Sequence, residues 1–276
     1  MQFYNYEKLN ESITAIKSRT GELLYLVEGN ERAILIDTCV GVGHLRKLVE
    51  TLTEKPITVL LTHGHVDHAP GATEFDEVYL NLKDLELYKK HCRIDERKGY
   101  LKAGMGMDYE ALRDTDFAAE EPEKEFRDLQ DGDVFDLGGI HVEALAFPGH
   151  TKGCMAFLVR EEKILILGDA CNNATFLFDE EAVTVEEYQK NLQEVNKKIA
   201  GRYDHVFISH HVMEMGTDIL QEMLELCEEI KKGQTDDVPF DFMGKQAYIA
   251  KKCNERFERF DGKSANLIYS KEKVYG

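Results

Sequence analysis

The sequence lacks several features that would place it outside the ordinary globular proteins. Only five of its 276 residues are proline, and no apolar run approaches the roughly 20 residues needed to span a bilayer. Residues 1–8 have neither the basic start nor the apolar stretch of a signal peptide, so we expect a cytoplasmic protein. The six cysteines include no C-x-x-C pair, which favours reduced thiols over a disulfide framework.

Positive charge is also in short supply. The chain has 34 basic and 52 acidic side chains, a formal net charge of −18. Such a surface repels polyanions at long range, although bound metal cations would make a site locally positive. We therefore expect a small-molecule substrate, with neither nucleic acid nor a membrane as partner, and leave a homodimer open.

Hydrophobic patterning indicates a mixed α/β protein. Short apolar runs predict five buried strands: Ala33–Ile36, Ile57–Leu61, Ala156–Val159, Ile164–Leu167 and Val206–Ile208. Helical periodicity predicts three helices, the first beginning near Gly43. The second follows a capping-box sequence at Thr184–Glu187, and the third runs from Thr217 to Lys232.

One domain over residues 1–276 accounts for this pattern, with two additions. The charged segment Leu82–Asp131 is predicted to be a helical insertion, either a solvated excursion or a lid over the active site. Residues 217–260 are predicted to form a mostly helical C-terminal extension, after which Ala265–Tyr269 could return to a sheet as a strand. The run Lys89–His91 is typical of a solvated helix face.

Ligand-type side chains are concentrated directly after the strand Ile57–Leu61. The sequence Thr62-His63-Gly64-His65-Val66-Asp67-His68 contains three histidines and an aspartate. Nitrogen and oxygen donors in this mixture suit zinc, iron or manganese better than calcium or magnesium. A single histidine is usually structural, but four such residues in one strand-end loop predict a metal site.

Three later strands end in the same way, at His150, at Asp169 and at His210–His211. If neighbouring strands point these ends at one sheet edge, the ligands converge. Glycines beside His65, His150 and Asp169 would let the backbone approach closely. Two aromatic residues after Asp169, Phe176 and Phe178, line either a substrate pocket or the core at this spacing.

The ordered motifs H-x-H-x-D-H, G-H, G-D and a strand-end histidine resemble the metallo-β-lactamase superfamily, over roughly Ser12 to His211. The resemblance extends to Ile36-Asp37-Thr38, although Cys39 replaces a usual glycine. It implies a four-layer αββα sandwich with a glyoxalase II-like ligand set. It further implies two divalent metal ions, with zinc preferred to iron or manganese. The implied ligands of the first ion are His63, His65 and His150; those of the second are Asp67, His68 and His210; Asp169 bridges them.

This resemblance implies roles for two aspartates and leaves one ligand open. Asp37 would support the ligand loop through hydrogen bonds. Asp67 would combine a ligand's role with a catalytic one, orienting the attacking hydroxide or moving a proton. His210 is preferred to His211 as the last ligand because of its place at the strand end. No cysteine has a base partner, so Cys154 and Cys171 are interpreted as core residues.

The leading functional hypothesis is a binuclear hydrolase of a small ester, thioester or lactone, acting by metal-bound hydroxide. Identity with glyoxalase II itself is doubtful, because its glutathione-binding basic residues are not evident after His211. The alternatives are a phosphodiesterase or nuclease of the same fold, and a mononuclear iron enzyme like the persulfide dioxygenases. Antibiotic hydrolysis and a non-catalytic binding module are weaker, the latter because all seven ligands are present.

Overall fold

The computed structural model describes residues 2–210, 212–242 and 244–276. The chain divides into two compact units, residues 1–144 and residues 145–276. None of the described helices is long and apolar enough to cross a membrane.

The first unit is built around a seven-stranded sheet with the order β1-β2-β3-β4-β5-β6-β7. Its elements are β1 (Tyr4–Lys8), β2 (Ile13–Ser18), β3 (Leu23–Glu28), β4 (Ala33–Ile36), α1 (Leu45–Leu52), β5 (Ile57–Leu60), β6 (Val78–Leu80), α2 (Leu85–His91), α3 (Ile94–Met105), β7 (Arg127–Asp128), β8 (Val134–Asp136) and β9 (His141–Ala146). Strands β1 to β4 pair antiparallel, β4 to β7 pair parallel, and β8 pairs antiparallel with β9.

The change from antiparallel to parallel pairing positions the ligand loop. Strands β4 and β5 pair in parallel, with Ile36 opposite Leu60. Their carboxyl ends therefore lie at the same edge, where Asp37 follows one strand and the Thr62–His68 loop follows the other. The apolar residues of β4 are all buried, as are Val59 and Leu60 of β5.

The predicted insertion packs against the body of the first unit. Tyr88 and Leu101 are fully buried in its core cluster. Arg97 is also buried, and its guanidinium donates to the carbonyl oxygens of Val40 (2.9 Å) and Ala118 (2.9 Å). The interpretation as a solvated excursion is therefore wrong, because a buried guanidinium and apolar side chains hold the segment in place. The lid stays a prediction.

The second unit contains two groups of paired strands and two long helices. Its elements are β10 (Met155–Val159), β11 (Ile164–Ile166), β12 (Thr175–Leu177), α4 (Val185–Ile199), β13 (His205–Phe207), β14 (Glu214–Met215), α5 (Ile219–Lys231), β15 (Val238–Phe242), β16 (Lys245–Ile249) and β17 (Leu267–Tyr269). One group has the order β14-β13-β11-β10, and the other is a four-stranded sheet with the order β12-β17-β16-β15. The apolar stripes of α4 and α5 pack into the core of this unit.

The predicted mixed α/β class is confirmed, and the predicted strands and helices are present with ends shifted by a few residues. Thr184 caps α4 by accepting a hydrogen bond from the Glu187 amide (3.3 Å). The strand predicted at Ala265–Tyr269 is β17, between β12 and β16. All six cysteines are free thiols, as predicted; the cytoplasmic location stays a prediction.

The prediction of a mostly helical extension over residues 217–260 is wrong for the residues that follow α5. Residues 238–249 form the antiparallel pair β15 and β16 instead. The reason is the two-residue alternation of Val238, Phe240 and Phe242, which places these apolar side chains on one face of a strand. Gly244 has a φ of 81°, a left-handed conformation that suits the turn joining the two strands.

Candidate metal centre

Asp37 organises the ligand loop of the first unit. Its carboxylate is buried and accepts hydrogen bonds from the Thr62 amide (2.7 Å) and the Thr62 hydroxyl (2.8 Å). The amide donates to Oδ1 and the hydroxyl to Oδ2, and Oδ2 also lies 2.8 Å from Nδ1 of His68. An aspartate there accepts the Nδ1 proton, so the lone pair of His68 falls on Nε2, the atom available to a metal. The predicted supporting role of Asp37 is confirmed by these bonds.

His65 is packed against the insertion, and His63 is packed against His65. The ring of His65 stacks on that of His91 from α2, with centroids 5.2 Å apart, and His63 meets His65 edge-on at 4.7 Å. Nδ1 of His91 also accepts a hydrogen bond from the Val66 amide (3.1 Å). His91 is thus part of the site's framework, and its interpretation as a solvated residue is wrong.

Gly64 is required by this packing. A Cβ atom at Gly64 would lie 2.8 Å from the carbonyl oxygen of Asp84 and 3.0 Å from the amide nitrogen of Tyr88. The Gly64 amide itself donates to the buried Asp84 carboxylate (3.1 Å). The close approach predicted for the glycine beside His65 is therefore present.

Tyr100 of α3, in the insertion, forms a hydrogen bond with Asp67. The Tyr100 hydroxyl lies 3.1 Å from Oδ2 of Asp67 and also contacts the buried carboxylate of Glu22. Burial raises the pKa of Tyr100 well above its ordinary value, and the negative charges of Asp67 and Glu22 raise it further. The phenol therefore stays protonated, and its single proton is shared between two acceptors, the Glu22 carboxylate and Oδ2 of Asp67.

In the second unit, His150 is oriented by a backbone carbonyl. Its Nδ1 lies 2.8 Å from the carbonyl oxygen of Phe176 in β12, so Nδ1 carries the proton and Nε2 the lone pair. The preceding Gly149 packs on Tyr188 of α4, where a Cβ atom would lie 2.4 Å from the ring. Because Gly149 has no side chain, the backbone that leads to His150 can pass directly against the Tyr188 ring.

The other two candidate ligands of the second unit, His150 and His210, lie close to Asp169. Its Oδ2 lies 3.3 Å from Nε2 of His210 and 3.9 Å from Nε2 of His150. All three side chains are largely shielded from solvent, with exposed fractions of 13%, 19% and 7% for Asp169, His210 and His150. His211 lies outside the described residues, so the choice between the two histidines stays a prediction.

These donors fall into groups that could hold a metal ion. In the first unit Nε2 of His68 lies 3.8 Å from Oδ2 of Asp67, beside His63 and His65, and in the second unit Nε2 of His210 lies 3.3 Å from Oδ2 of Asp169, beside His150. Imidazole nitrogens with carboxylate oxygens suit zinc, iron and manganese. Because His68 and His150 both present Nε2, the donor chemistry fits a metal.

No thiol near these residues is suited to nucleophilic attack. Burial raises the pKa of Cys171 to about 12 and that of Cys39 well above its ordinary value. A thiol reacts as the thiolate, which is scarce at neutral pH under these conditions. The interpretation of Cys171 as a core residue agrees with its place in the core cluster of the second unit.

Sequence reasoning missed three residues that support the site: Glu22, His91 and Tyr100. Each is distant along the chain from the residue that it serves; 33 positions separate Tyr100 from Asp67. The available signal was an aromatic residue in an insertion for which a lid was one of two interpretations.

A mixed α/β fold whose strand ends carry clustered histidines and aspartates defines a class of metal-binding proteins. The chain belongs to the metallo-β-lactamase superfamily, whose sequence model matches residues 20–210. A metallo-β-lactamase from Pontibacter korlensis has the same fold, with a TM-score of 0.56 at 16% identity, covering 80% of this chain and 97% of that one.

Two relatives are named as thioesterases. The human acyl-coenzyme A thioesterase MBLAC2 is 26% identical over 202 residues, which are 64% of this chain and 70% of the human protein. An atrochrysone carboxyl ACP thioesterase from Pseudocercospora fijiensis is 29% identical over 153 residues, 54% of this chain and 37% of the fungal protein. The match therefore spans little more than a third of the fungal protein. The superfamily and these names together support a hydrolytic enzyme.

Proposed function

We propose that the protein is a binuclear metal-dependent hydrolase of a small acyl thioester, with esters and lactones as further candidate substrates. The observation that carries the proposal is that each unit holds histidine nitrogens beside an aspartate oxygen at its strand ends: His68 beside Asp67 in the first unit, and His150 and His210 beside Asp169 in the second. The thioesterase names of two relatives favour a thioester over the other acyl compounds.

The proposed ligands divide between two ions, with zinc preferred to iron or manganese. His63, His65 and His150 would hold the first ion; Asp67, His68 and His210 would hold the second; Asp169 would bridge them. When bound, such ions supply Lewis acidity, which polarises a carbonyl oxygen and lowers the pKa of water.

The chain's own groups would orient these ligands and move a proton. Asp37 and the Phe176 carbonyl keep the Nδ1 protons of His68 and His150 in place. The Tyr100 hydroxyl holds Oδ2 of Asp67 in one direction. Through its other carboxylate oxygen, Asp67 would take up the proton that the attacking water loses and pass it to the leaving thiolate, which suits the mixed role proposed for it.

Reconstitution and substitution test the proposal together. Chelator-treated protein, reloaded with zinc, manganese or iron, is assayed against thioesters, esters, lactones and phosphodiesters. We expect zinc-dependent thioester hydrolysis that His63→Ala and Asp67→Asn abolish, with far-UV circular dichroism unchanged. His205→Ala is the matched control, because His205 is 54% exposed and pairs with Glu214 away from the ligands.

The other outcomes are informative. Turnover that survives chelation, or full activity in both variants, would refute the metal site. Phosphodiester turnover without acyl turnover would favour the phosphodiesterase alternative. Iron-dependent oxygen consumption with a persulfide would favour the dioxygenase.

A further inference from the structure

The four-stranded sheet of the second unit has two different faces. Leu177, Leu267 and Tyr269 point into the main core of that unit. The opposite face bears an aromatic cluster, which we define as the side chains of Phe176, Phe178, Phe240 and Phe242. These rings contact one another, with centroid distances of 5.1 Å for Phe176–Phe178 and 5.0 Å for Phe176–Phe242. Phe240 and Phe242 stack at 6.2 Å.

This aromatic cluster joins the two edges of the sheet. Phe176 lies on β12 and Phe242 on β15, which are the two outer strands in the order β12-β17-β16-β15. Outer strands of a flat four-stranded sheet are about 14 Å apart. Rings that meet at 5.0 Å therefore require the tip of the β15–β16 hairpin to lean over β12. An ion pair between Lys245 at this tip and Asp179 just after β12 holds it there.

The aromatic cluster is partly open to solvent. Phe242 is 37% exposed, Phe178 is 8% exposed, and Phe176 and Phe240 are half-buried. Exposing aromatic rings to water is unfavourable unless a ligand covers them. A clustered set is thus a candidate binding surface, whereas a single exposed ring such as that of Phe260 needs no explanation.

The aromatic cluster starts beside a candidate metal ligand. The carbonyl oxygen of Phe176 accepts the Nδ1 proton of His150, at 2.8 Å. The carbonyl carbon and the Cβ atom of one residue are both bonded to its Cα atom, so the Phe176 ring begins three bonds from that carbonyl carbon. Phe176 therefore orients the ligand through its carbonyl oxygen and contributes its ring to the aromatic cluster.

We infer that the aromatic cluster binds the acyl group of the substrate and makes the enzyme selective for extended apolar acyl chains. This inference rests on the proposed function. An aliphatic chain matches the cluster chemically because the rings offer apolar area, and the charges of Lys245 and Asp179 at the hairpin tip are paired with each other. The β15–β16 hairpin lies beyond residues 20–210, so Phe240 and Phe242 stand outside the region that the superfamily model matches.

Chain-length dependence tests the inference. Thioesters of one thiol are compared with acyl chains from acetyl to dodecanoyl, using zinc-loaded protein. We expect kcat/KM to rise with length by up to roughly fourfold for each methylene group that the cluster buries. In Phe242→Ala the dodecanoyl thioester should lose about tenfold or more in kcat/KM, and the acetyl thioester less than about twofold. Phe242→Leu should retain most of the wild-type dependence because it keeps an apolar side chain.

A binding measurement gives a readout that does not need turnover. Calorimetry with metal-stripped protein and dodecanoate should show binding to the wild type and weaker binding to Phe242→Ala. The matched control is Phe260→Ala, which removes a 72% exposed ring outside the aromatic cluster and should behave like the wild type in both experiments.

The failures are distinguishable. Equal kcat/KM for acetyl and dodecanoyl thioesters in the wild type would overturn the inference and leave the proposed function intact. The same holds if Phe242→Ala keeps the wild-type dependence on chain length. Absence of zinc-dependent acyl hydrolysis from every protein would overturn the proposed function, and the inference with it.

Discussion

Asp37 illustrates how a single buried carboxylate can determine the geometry of a whole loop. It accepts hydrogen bonds from both the backbone and the side chain of Thr62 and lies 2.8 Å from Nδ1 of His68. A buried carboxylate is stable only when such donors surround it. The same bonds select the Nδ1-protonated form of His68.

Substituting Asp37 should weaken metal binding more than folding. In Asp37→Asn the amide can still accept from Thr62, but its NH2 group no longer favours the correct proton position on His68. We expect a zinc affinity about 10- to 100-fold lower, measured by competition with a chromophoric chelator. Asp136→Asn is the control, because Asp136 lies beside His141 on the surface. Equal affinities in the two variants would contradict the supporting role.

Gly64 allows a direct test of close packing beneath the ligand loop. In Gly64→Ala the new Cβ atom would meet backbone atoms of Asp84 and Tyr88 at 2.8 and 3.0 Å. We expect the free energy of unfolding in urea to fall by about 1–3 kcal/mol. Gly99→Ala provides the comparison: it lies within α3 with no atom within 4 Å, so it should stabilise by about 0.5–1 kcal/mol. If both substitutions changed the free energy of unfolding by similar amounts, the ligand loop must shift to make room for the new Cβ atom.

At the scale of elements, the helices of the insertion contact residues of the ligand loop. Helix α2 places His91 against His65, and α3 places Tyr100 against Asp67. The Arg97 guanidinium ties α3 to the chain that follows β4. Burial lowers the pKa of Arg97, and hydrogen bonds to backbone carbonyls compensate for the loss of water around the charge.

Removing the Tyr100 hydroxyl should impair the orientation of Asp67 without reducing metal binding. Tyr100→Phe keeps the ring in the core but removes the hydroxyl that Asp67 and Glu22 share as a donor. Loss of about 1 kcal/mol of hydrogen bonding corresponds to a kcat roughly fivefold lower, with unchanged zinc content by mass spectrometry. Tyr109→Phe, on a half-buried ring of the same insertion, should leave kcat unchanged. A parallel loss of zinc and activity in Tyr100→Phe would instead indicate a structural role.

At the scale of the whole molecule, all six cysteines are free thiols. Five are buried and only Cys253 is partly accessible. We therefore expect the folded protein to react slowly with a thiol reagent at no more than one position, because burial suppresses the thiolate. After unfolding, all six should react without prior reduction. Fewer than six reactive thiols in the unfolded, unreduced protein would reveal a disulfide.

Metal binding should also stabilise the folded chain as a whole. A ligand that binds only the native state at about 100 times its dissociation constant stabilises by about 2.7 kcal/mol. Zinc should therefore raise the melting temperature of chelator-treated protein, measured by circular dichroism. The shift should be smaller in His63→Ala and unchanged in His205→Ala. No shift in the wild type would count against a site formed in the folded state.

Much of the architecture could be predicted because it depends on local patterns. Apolar runs predicted β4, β5, β10, β11 and β13, and helical stripes predicted α1, α4 and α5. The candidate ligands could also be named, because each follows a buried strand. The β15–β16 hairpin was missed because its alternation is short and follows a strongly helical segment, which outweighed it.

The sequence by itself determined the family, the mixed α/β class and the residue types able to bind metal, because these depend on neighbours along the chain. Only the tertiary structure decided which groups orient the ligands. Asp37 meets His68 across 31 positions, and the Phe176 carbonyl meets His150 across 26. Parallel pairing of β4 and β5 creates the first contact, and folding of β12 creates the second. Such contacts depend on how distant segments pack, and no local pattern of residues records that packing.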